Sequence, residues 1–234
     1  MLMNETHTHG AASTPESTPK KRRIVLVDDH PILRQGLARL INHEPDLLVC
    51  GEAESAPEAI TLLEQAAPDL AVVDVTLSGM DGIELIKELK TKLPALPVLV
   101  LSMHAETLYA ERALRAGAKG YLTKQEAPET ILVAIRRILT GGIYVSDQVA
   151  EKVLHSLSAG KNGRDSAPIE RLSDRELQVF QMIGQGMTVR EIAERLFLSA
   201  KTVEAHRERM KEKLSLKSSA ELLRYAIQHS LGKG

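Results

Sequence analysis

The chain has 234 residues, 43% hydrophobic and 26% charged, with a formal net charge of −1. That suits two modest soluble domains and excludes a basic coat spread over the whole surface for nucleic acid or membrane. One cysteine, Cys50, excludes a disulfide within the chain and reads as a core thiol in a reducing compartment. With no Trp, two Phe and four Tyr, aromatic stacking on single-stranded nucleic acid is disfavoured.

Residues 1–22 are rich in Ser, Thr, Pro and His, lack an apolar period and end in "KKRR". They read as a disordered tail, on which His7 and His9 are too loosely held for a metal pair. The tail lacks the apolar region of a secretory signal. The most apolar stretch, "LPALPVLVLSM", is short and broken by Pro94 and Pro97. No membrane span and a cytoplasmic location are therefore expected.

From Arg23 short apolar runs at 24–27, 47–53, 70–73, 97–101 and 120–122 alternate with helical patterns at 31–42, 57–66, 82–93, 107–116 and 128–139. Five strands alternating with five helices predict an α/β domain with a doubly wound, five-stranded parallel sheet over residues 23–141. Such sheets place their site outside the carboxyl ends of the strands. Gly141-Gly142 closes the last helix, and residues 142–168 hold a short helix and then the hinge-like "SAGKNGRDSAP". Residues 169–234 are helical throughout. Ser173 with Glu176, Thr188 with Glu191, and Ser218 with Glu221 each have capping-box spacing.

The strand ends of the first domain carry polar groups in register: Asp28-Asp29 after the first, Asp74 after the third, Ser102 after the fourth, Thr123-Lys124 after the fifth. A buried carboxylate is costly unless paired or metal-bound, and three crowded together raise one another's pKa unless a cation joins them. Oxygen ligands without paired His or Cys favour Mg²⁺ over zinc. A lysine and a hydroxyl beside such a site suit a phosphoryl group, and a carboxylate can itself be the nucleophile. Taken singly, each has a plainer use: Asp28 as a helix cap, Ser102 in a turn, Lys124 as a solvated charge.

Together these residues make 23–141 resemble the receiver domain of a two-component response regulator. The resemblance implies that Asp74 accepts the phosphoryl group. Asp28, Asp29, Asp74 and the Thr76 carbonyl would hold Mg²⁺, and Lys124 would pair with the phosphoryl oxygens. Ser102 would be the switch hydroxyl and Tyr121 the aromatic that reports it. The donor would be a sensor histidine kinase. Two positions depart from the family habit, with Ser78 and Gln125 where proline is common.

In the helical segment, Lys and Arg number ten against seven acids between Arg171 and Lys217, too slight an excess to establish DNA binding. The pattern says more. A short helix through Glu191-Ile192-Ala193, the turn "FLS" and the helix "AKTVEAHRERMKEKL" make a helix-turn-helix, with Val203, Met210 and Leu214 facing inward. Residues 172–214 resemble the LuxR-type DNA-binding domain of the NarL/FixJ response regulators. By that resemblance Lys201, Thr202, His206, Arg209 and Lys213 contact phosphates of double-stranded DNA. Glu204, Ala205 and Glu208 lie where bases are read, with Arg207 near them. The last helix, expected over 218–229 with Leu222, Leu223, Ala226 and Ile227 buried, is the family's dimer contact and implies a homodimer on DNA.

A phosphorylation-controlled, DNA-binding transcription regulator is thus the leading expectation, not an enzyme beyond accepting and losing its own phosphoryl group. An aspartyl phosphatase would place an acid where Thr76 stands. A flavin or nucleotide binder would need a glycine-rich loop in place of "DDHPILRQG". A protein-interaction module lacking DNA affinity would explain the glutamates on the groove face.

Overall fold

A computed structural model describes residues 20–77, 80–103, 106–158 and 168–231. Residues 1–19 of the expected tail, Ser78 and most of the hinge lie outside the described residues. The first domain runs β1 (Arg22–Val27), α1 (Pro31–His43), β2 (Leu47–Ala53), α2 (Ala56–Ala66), β3 (Leu70–Asp74), α3 (Gly82–Lys92), β4 (Val98–Ser102), α4 (Glu106–Ala116), β5 (Gly120–Thr123) and α5 (Pro128–Leu139). The strands form one parallel sheet in the order β2-β1-β3-β4-β5. Arg22 opens β1 rather than ending the tail, because its N–H bonds the Asp46 carbonyl.

Both faces of the sheet are covered, which explains the unbroken apolar runs. Every residue of β3 and β4 is buried. Leu37 and Ile41 of α1 pack with Ile131, Ile135 and Ile138 of α5 on one face. Leu63 of α2, Ile83 and Leu89 of α3 and Tyr109 of α4 pack on the other. Cys50 proves half-buried at this second core rather than enclosed by it, since β2 is an edge strand.

The loop after β3 is drawn tightly under the sheet edge. Gly82 donates its N–H to the Val75 carbonyl at 2.9 Å. A Cβ there would lie 2.3 Å from the Asp74 carbonyl oxygen, so no other residue fits without moving Asp74. Asp81 caps α3, accepting the Ile83 N–H at 2.7 Å. It is fully buried, and its Oδ2 has no partner among the described residues. Burial, with lesser repulsion from Asp174 and Glu84, pushes its carboxyl up from 3.8 to about 7, against the pull of the Ile83 N–H and Arg175.

A carboxyl with a raised folded pKa favours the folded state when protonated, so Asp81 costs stability as pH rises from about 4 to about 7. Asp81→Asn keeps the cap oxygen and loses the titration. Its melting temperature should exceed that of the parent at pH 8, by stability on the order of 4 kcal/mol, with the gap closing toward pH 4. A gap independent of pH would sink the assignment.

The chain continues through α6 (Asp147–Ser158) and a 3-10 turn (Pro168–Arg171) to α7 (Asp174–Gly184), α8 (Val189–Arg195), α9 (Ala200–Leu214) and α10 (Ser219–Leu231). Ser173–Glu176 and Thr188–Glu191 form complete capping boxes. At the third position only half the box forms: Ser218 Oγ accepts the Glu221 N–H, but the Glu221 carboxylate takes the Lys217 N–H instead. Val203, Met210 and Leu214 are buried against the other helices, as their spacing requires. In α10 the buried face is narrower than its apolar stripe: Leu222 and Ala226 are enclosed, Ile227 is half-buried and Leu223 is 41% exposed.

Candidate functional site

The strand-end residues converge as their register demands. Asp28, directly after β1, and Asp74, the last residue of the adjacent β3, are 3% and 2% exposed, and Ser102 at the end of β4 is fully buried. The Lys124 side chain is 1% exposed and its Nζ donates to Asp28 Oδ2 at 2.6 Å and Asp74 Oδ2 at 2.8 Å. The Thr76 N–H donates to Asp74 Oδ1 at 3.1 Å. The Lys124 N–H bonds the Ser102 carbonyl at 2.8 Å, which fixes where the ammonium starts. Tyr121 is fully buried on β5 beside Val100.

Burial pushes the Asp74 carboxyl above its ordinary value, Lys124 pulls it back, and Asp28 adds to the rise. Asp28 and Asp74 share the Lys124 ammonium and Asp29 lies beside them, so the three carboxylates offer a set of hard oxygen donors. One ligand atom each from Asp28, Asp29, His30 and Asp74 lies within 4.8 Å of the others. These donors fit a small divalent cation.

His30 is the residue that the strand-end pattern misses. Its N–H donates to Asp28 Oδ1 at 2.8 Å, and its Nδ1 lies 2.8 Å from Asp29 Oδ1 and 3.1 Å from Asp28 Oδ1. The signal was its place directly after the acidic pair. Arg34 also reaches the Asp28 carbonyl through Nη1, anchoring α1 to the end of β1.

The helical domain docks on this same end of the first. Asp174, at the start of α7, accepts from Lys87 of α3 at 2.7 Å and from Arg112 of α4 at 2.9 Å. Burial alone would raise the Asp174 carboxyl, but these two cations hold it below its ordinary value. Arg112 also donates to the Glu170 carbonyl, and the buried Tyr109 hydroxyl donates to Gln181 Oε1 at 2.8 Å. The apolar core beneath α3 and α4 continues into that of α7–α10.

On α9, Lys201, Glu204, Glu208 and Arg209 are exposed, while Thr202, Ala205, His206, Arg207 and Lys213 are half-buried. Several candidates for nucleic-acid contact are already engaged, Thr202 with Ser199 and Glu208 with Lys211 among them. Lys213 pairs with the capping-box Glu176 at 2.6 Å, and Arg207 with Glu204 at 2.9 Å. Burial and the neighbouring Arg209 lower the His206 pKa, which favours neutral imidazole near pH 7.

The family model for the response regulator receiver domain matches residues 24–136, and that for bacterial regulatory proteins of the luxR family matches residues 170–226. The transcriptional activator protein ExaE of Pseudomonas putida is 38% identical over 89% of this chain and 97% of its own length. The response regulator UvrY of Escherichia coli K12 is 34% identical over 89% of this chain and 94% of its own. Among solved structures, RcsB from Salmonella enterica serovar Typhimurium bound to promoter rprA with the phosphomimetic BeF₃⁻ is 27% identical, with a TM-score of 0.62 over 89% of this chain and 99% of that one. A site of buried aspartates around one lysine, followed by a helix-turn-helix and matched along nearly the whole length of such relatives, places the chain in the response regulators with a LuxR-type DNA-binding domain.

Proposed function

We propose that residues 23–141 receive a phosphoryl group on Asp74 from the phosphohistidine of a sensor histidine kinase. Residues 142–168 then act as linker, and 169–234 bind duplex DNA as a homodimer in the cytoplasm. The observation that carries this reading is Asp74: a buried carboxylate at the carboxyl edge that shares the Lys124 ammonium with Asp28.

Asp28, Asp29 and Asp74, with the Thr76 carbonyl, would hold Mg²⁺, which supplies charge stabilisation for the transferring phosphoryl oxygens. The chain's own groups do the rest. Lys124 Nζ, already bonded to Asp74 Oδ2, orients the carboxylate and meets the charge that arrives. The Thr76 N–H holds the other oxygen, leaving the acceptor fixed in direction. Ser102 ends β4, the strand beside Asp74, and Tyr121 lies on β5 beyond it; they would respond to a phosphoryl group by the hydroxyl and ring shifts of a two-state loop.

On DNA, Lys201, Thr202, His206, Arg209 and Lys213 would contact phosphates. Glu204, Ala205, Arg207 and Glu208 would face the bases, where glutamate accepts from cytosine N4. Lys213 and Arg207 exchange their internal partners for DNA on binding. The exposed Leu223 of α10 supports a second copy at that helix. A salt titration of duplex binding tests this part. The affinity should fall roughly as [salt] to the power −0.9 per phosphate contacted, and no binding at low salt with Asp74 phosphorylated would leave only the protein-interaction reading.

A further inference from the structure

Helices α3 and α4 pack against each other, and between them lies a cavity of about 320 Å³ that the start of α7 closes on one side. Four cations line it: Lys87 and Lys90 of α3, and Arg112 and Arg115 of α4. Each pair is spaced i, i+3, so each helix turns two cations toward the other. Like charges gathered around one small cavity repel one another and call for an anion. Among the described lining residues the one acid is Asp174, and it comes from the other domain.

Asp174 answers half of this charge. Its carboxylate takes Lys87 Nζ at 2.7 Å and Arg112 Nη1 at 2.9 Å. Lys90 Nζ rests instead on the neutral Pro94 carbonyl at 3.1 Å. Arg115 is exposed and pairs with Glu111 one turn back on its own helix, a contact of little net worth in water. The stem of Lys90 lies along Gly117 at the end of α4, where a Cβ would come within 3.1 Å of its Cγ and Cδ. The bare glycine, at a φ of +116°, thus keeps Lys90 close beside the arginine helix.

The donors select the ligand. Guanidinium forks match phosphate oxygens in pairs, and lysines add compact positive charge. Two cation pairs on facing helices suit two linked phosphates better than one. The volume is at the lower end for a small-molecule site and far too small for a duplex. No aromatic ring stands among the described lining residues to stack a base, so a phosphate chain is what the cavity can grip. We propose that the groove between α3 and α4 is a polyphosphate site, which binds pyrophosphate, free or as the phosphate chain of a nucleotide, in competition with Asp174. Occupancy would then weaken the hold of the receiver on the DNA-binding domain, through Lys87 and Arg112. It does not depend on Asp74 accepting a phosphoryl group.

The test is calorimetric titration of the full chain with pyrophosphate, at constant ionic strength and with a chelator present so that no metal bridges the anion to the aspartates. Lys90→Met keeps the stem against Gly117, and Arg115→Gln is an exposed change; neither residue touches Asp174, and both variants should melt as wild type does. Each should bind pyrophosphate about tenfold more weakly. Asp174→Asn removes the competitor and should bind it at least fivefold more tightly, since the two occupants oppose each other by linkage. Orthophosphate should bind wild type at least tenfold more weakly than pyrophosphate. ADP tests the source: an affinity equal to that of pyrophosphate places recognition on the chain itself, and a tighter one makes a nucleotide the ligand of the same site. No pyrophosphate binding by wild type, or equal binding by Lys90→Met and Arg115→Gln, would refute the site. Unchanged or weaker binding by Asp174→Asn would refute the competition. Asp74→Asn should bind pyrophosphate as wild type does; loss of binding there would put the anion at the aspartates and overturn this site while leaving the phosphoacceptor reading intact.

Discussion

An Asp74→Asn chain is expected to incorporate no label from acetyl phosphate with Mg²⁺, a loss of at least ~10³-fold. The amide has nearly the shape of the carboxylate but is a far poorer nucleophile, and it offers the metal site one charge fewer. The substitution should leave the fold intact, because burial and Asp28 already disfavour the charged form of Asp74. Removing that charge leaves Lys124 paired with Asp28 at 2.6 Å. A melting temperature at or above that of wild type, alongside absent labelling, separates lost chemistry from lost structure. Labelling that persists in this variant would move the acceptor to another residue.

Lys124→Met should do the opposite to stability. It leaves Asp28 and Asp74, both nearly inaccessible to water, facing each other without their shared ammonium. Breaking a buried pair in this way costs about 3–5 kcal/mol, which for a chain of this size lowers the melting temperature by roughly 10 °C. Two rescues follow from the same electrostatics. Adding Asp74→Asn removes one of the stranded charges, and millimolar Mg²⁺ supplies a replacement cation. Each should recover part of the loss. An unchanged melting point in metal-free buffer would mean that the carboxylates are relieved by protonation or by water, and that Lys124 does not hold the edge together.

Much of the first domain was legible because a parallel sheet leaves a strong trace. Strands such as β3 are buried on both faces and read as apolar runs, and the observed helix bounds depart from the sequence-based ones by a residue or so. Asp28, Asp74, Ser102 and Lys124 could be brought together before any coordinates, since each ends a strand and strand order does the rest. His30 was missed because it lies past the strand end, where its side-chain direction depends on the turn into α1 rather than on register.

The contacts between the domains had no sequence signature. Lys87, Arg112 and Asp174 look like ordinary helix charges, and only docking makes Asp174 the partner of two cations. Gln178 and Asp81 are similar cases: polar residues on amphipathic helix starts whose burial is decided by the neighbouring domain and loop. In α10 the period correctly marked an apolar stripe over 222–227, but the stripe is wider than the surface it covers, so Leu223 remains outside. Periodicity reports which face is apolar, not how much of it finds a partner within one chain.

The most direct measurement is the affinity of the full chain for a selected duplex, with and without beryllofluoride and Mg²⁺, in wild type and Asp74→Asn. Beryllofluoride should tighten binding by wild type about tenfold or more, a coupling of 1–3 kcal/mol in the range usual for two linked sites, and should leave Asp74→Asn unchanged. Equal affinities for wild type in both conditions, with beryllofluoride demonstrably bound, would contradict a switch in which the group on Asp74 controls the DNA-binding domain.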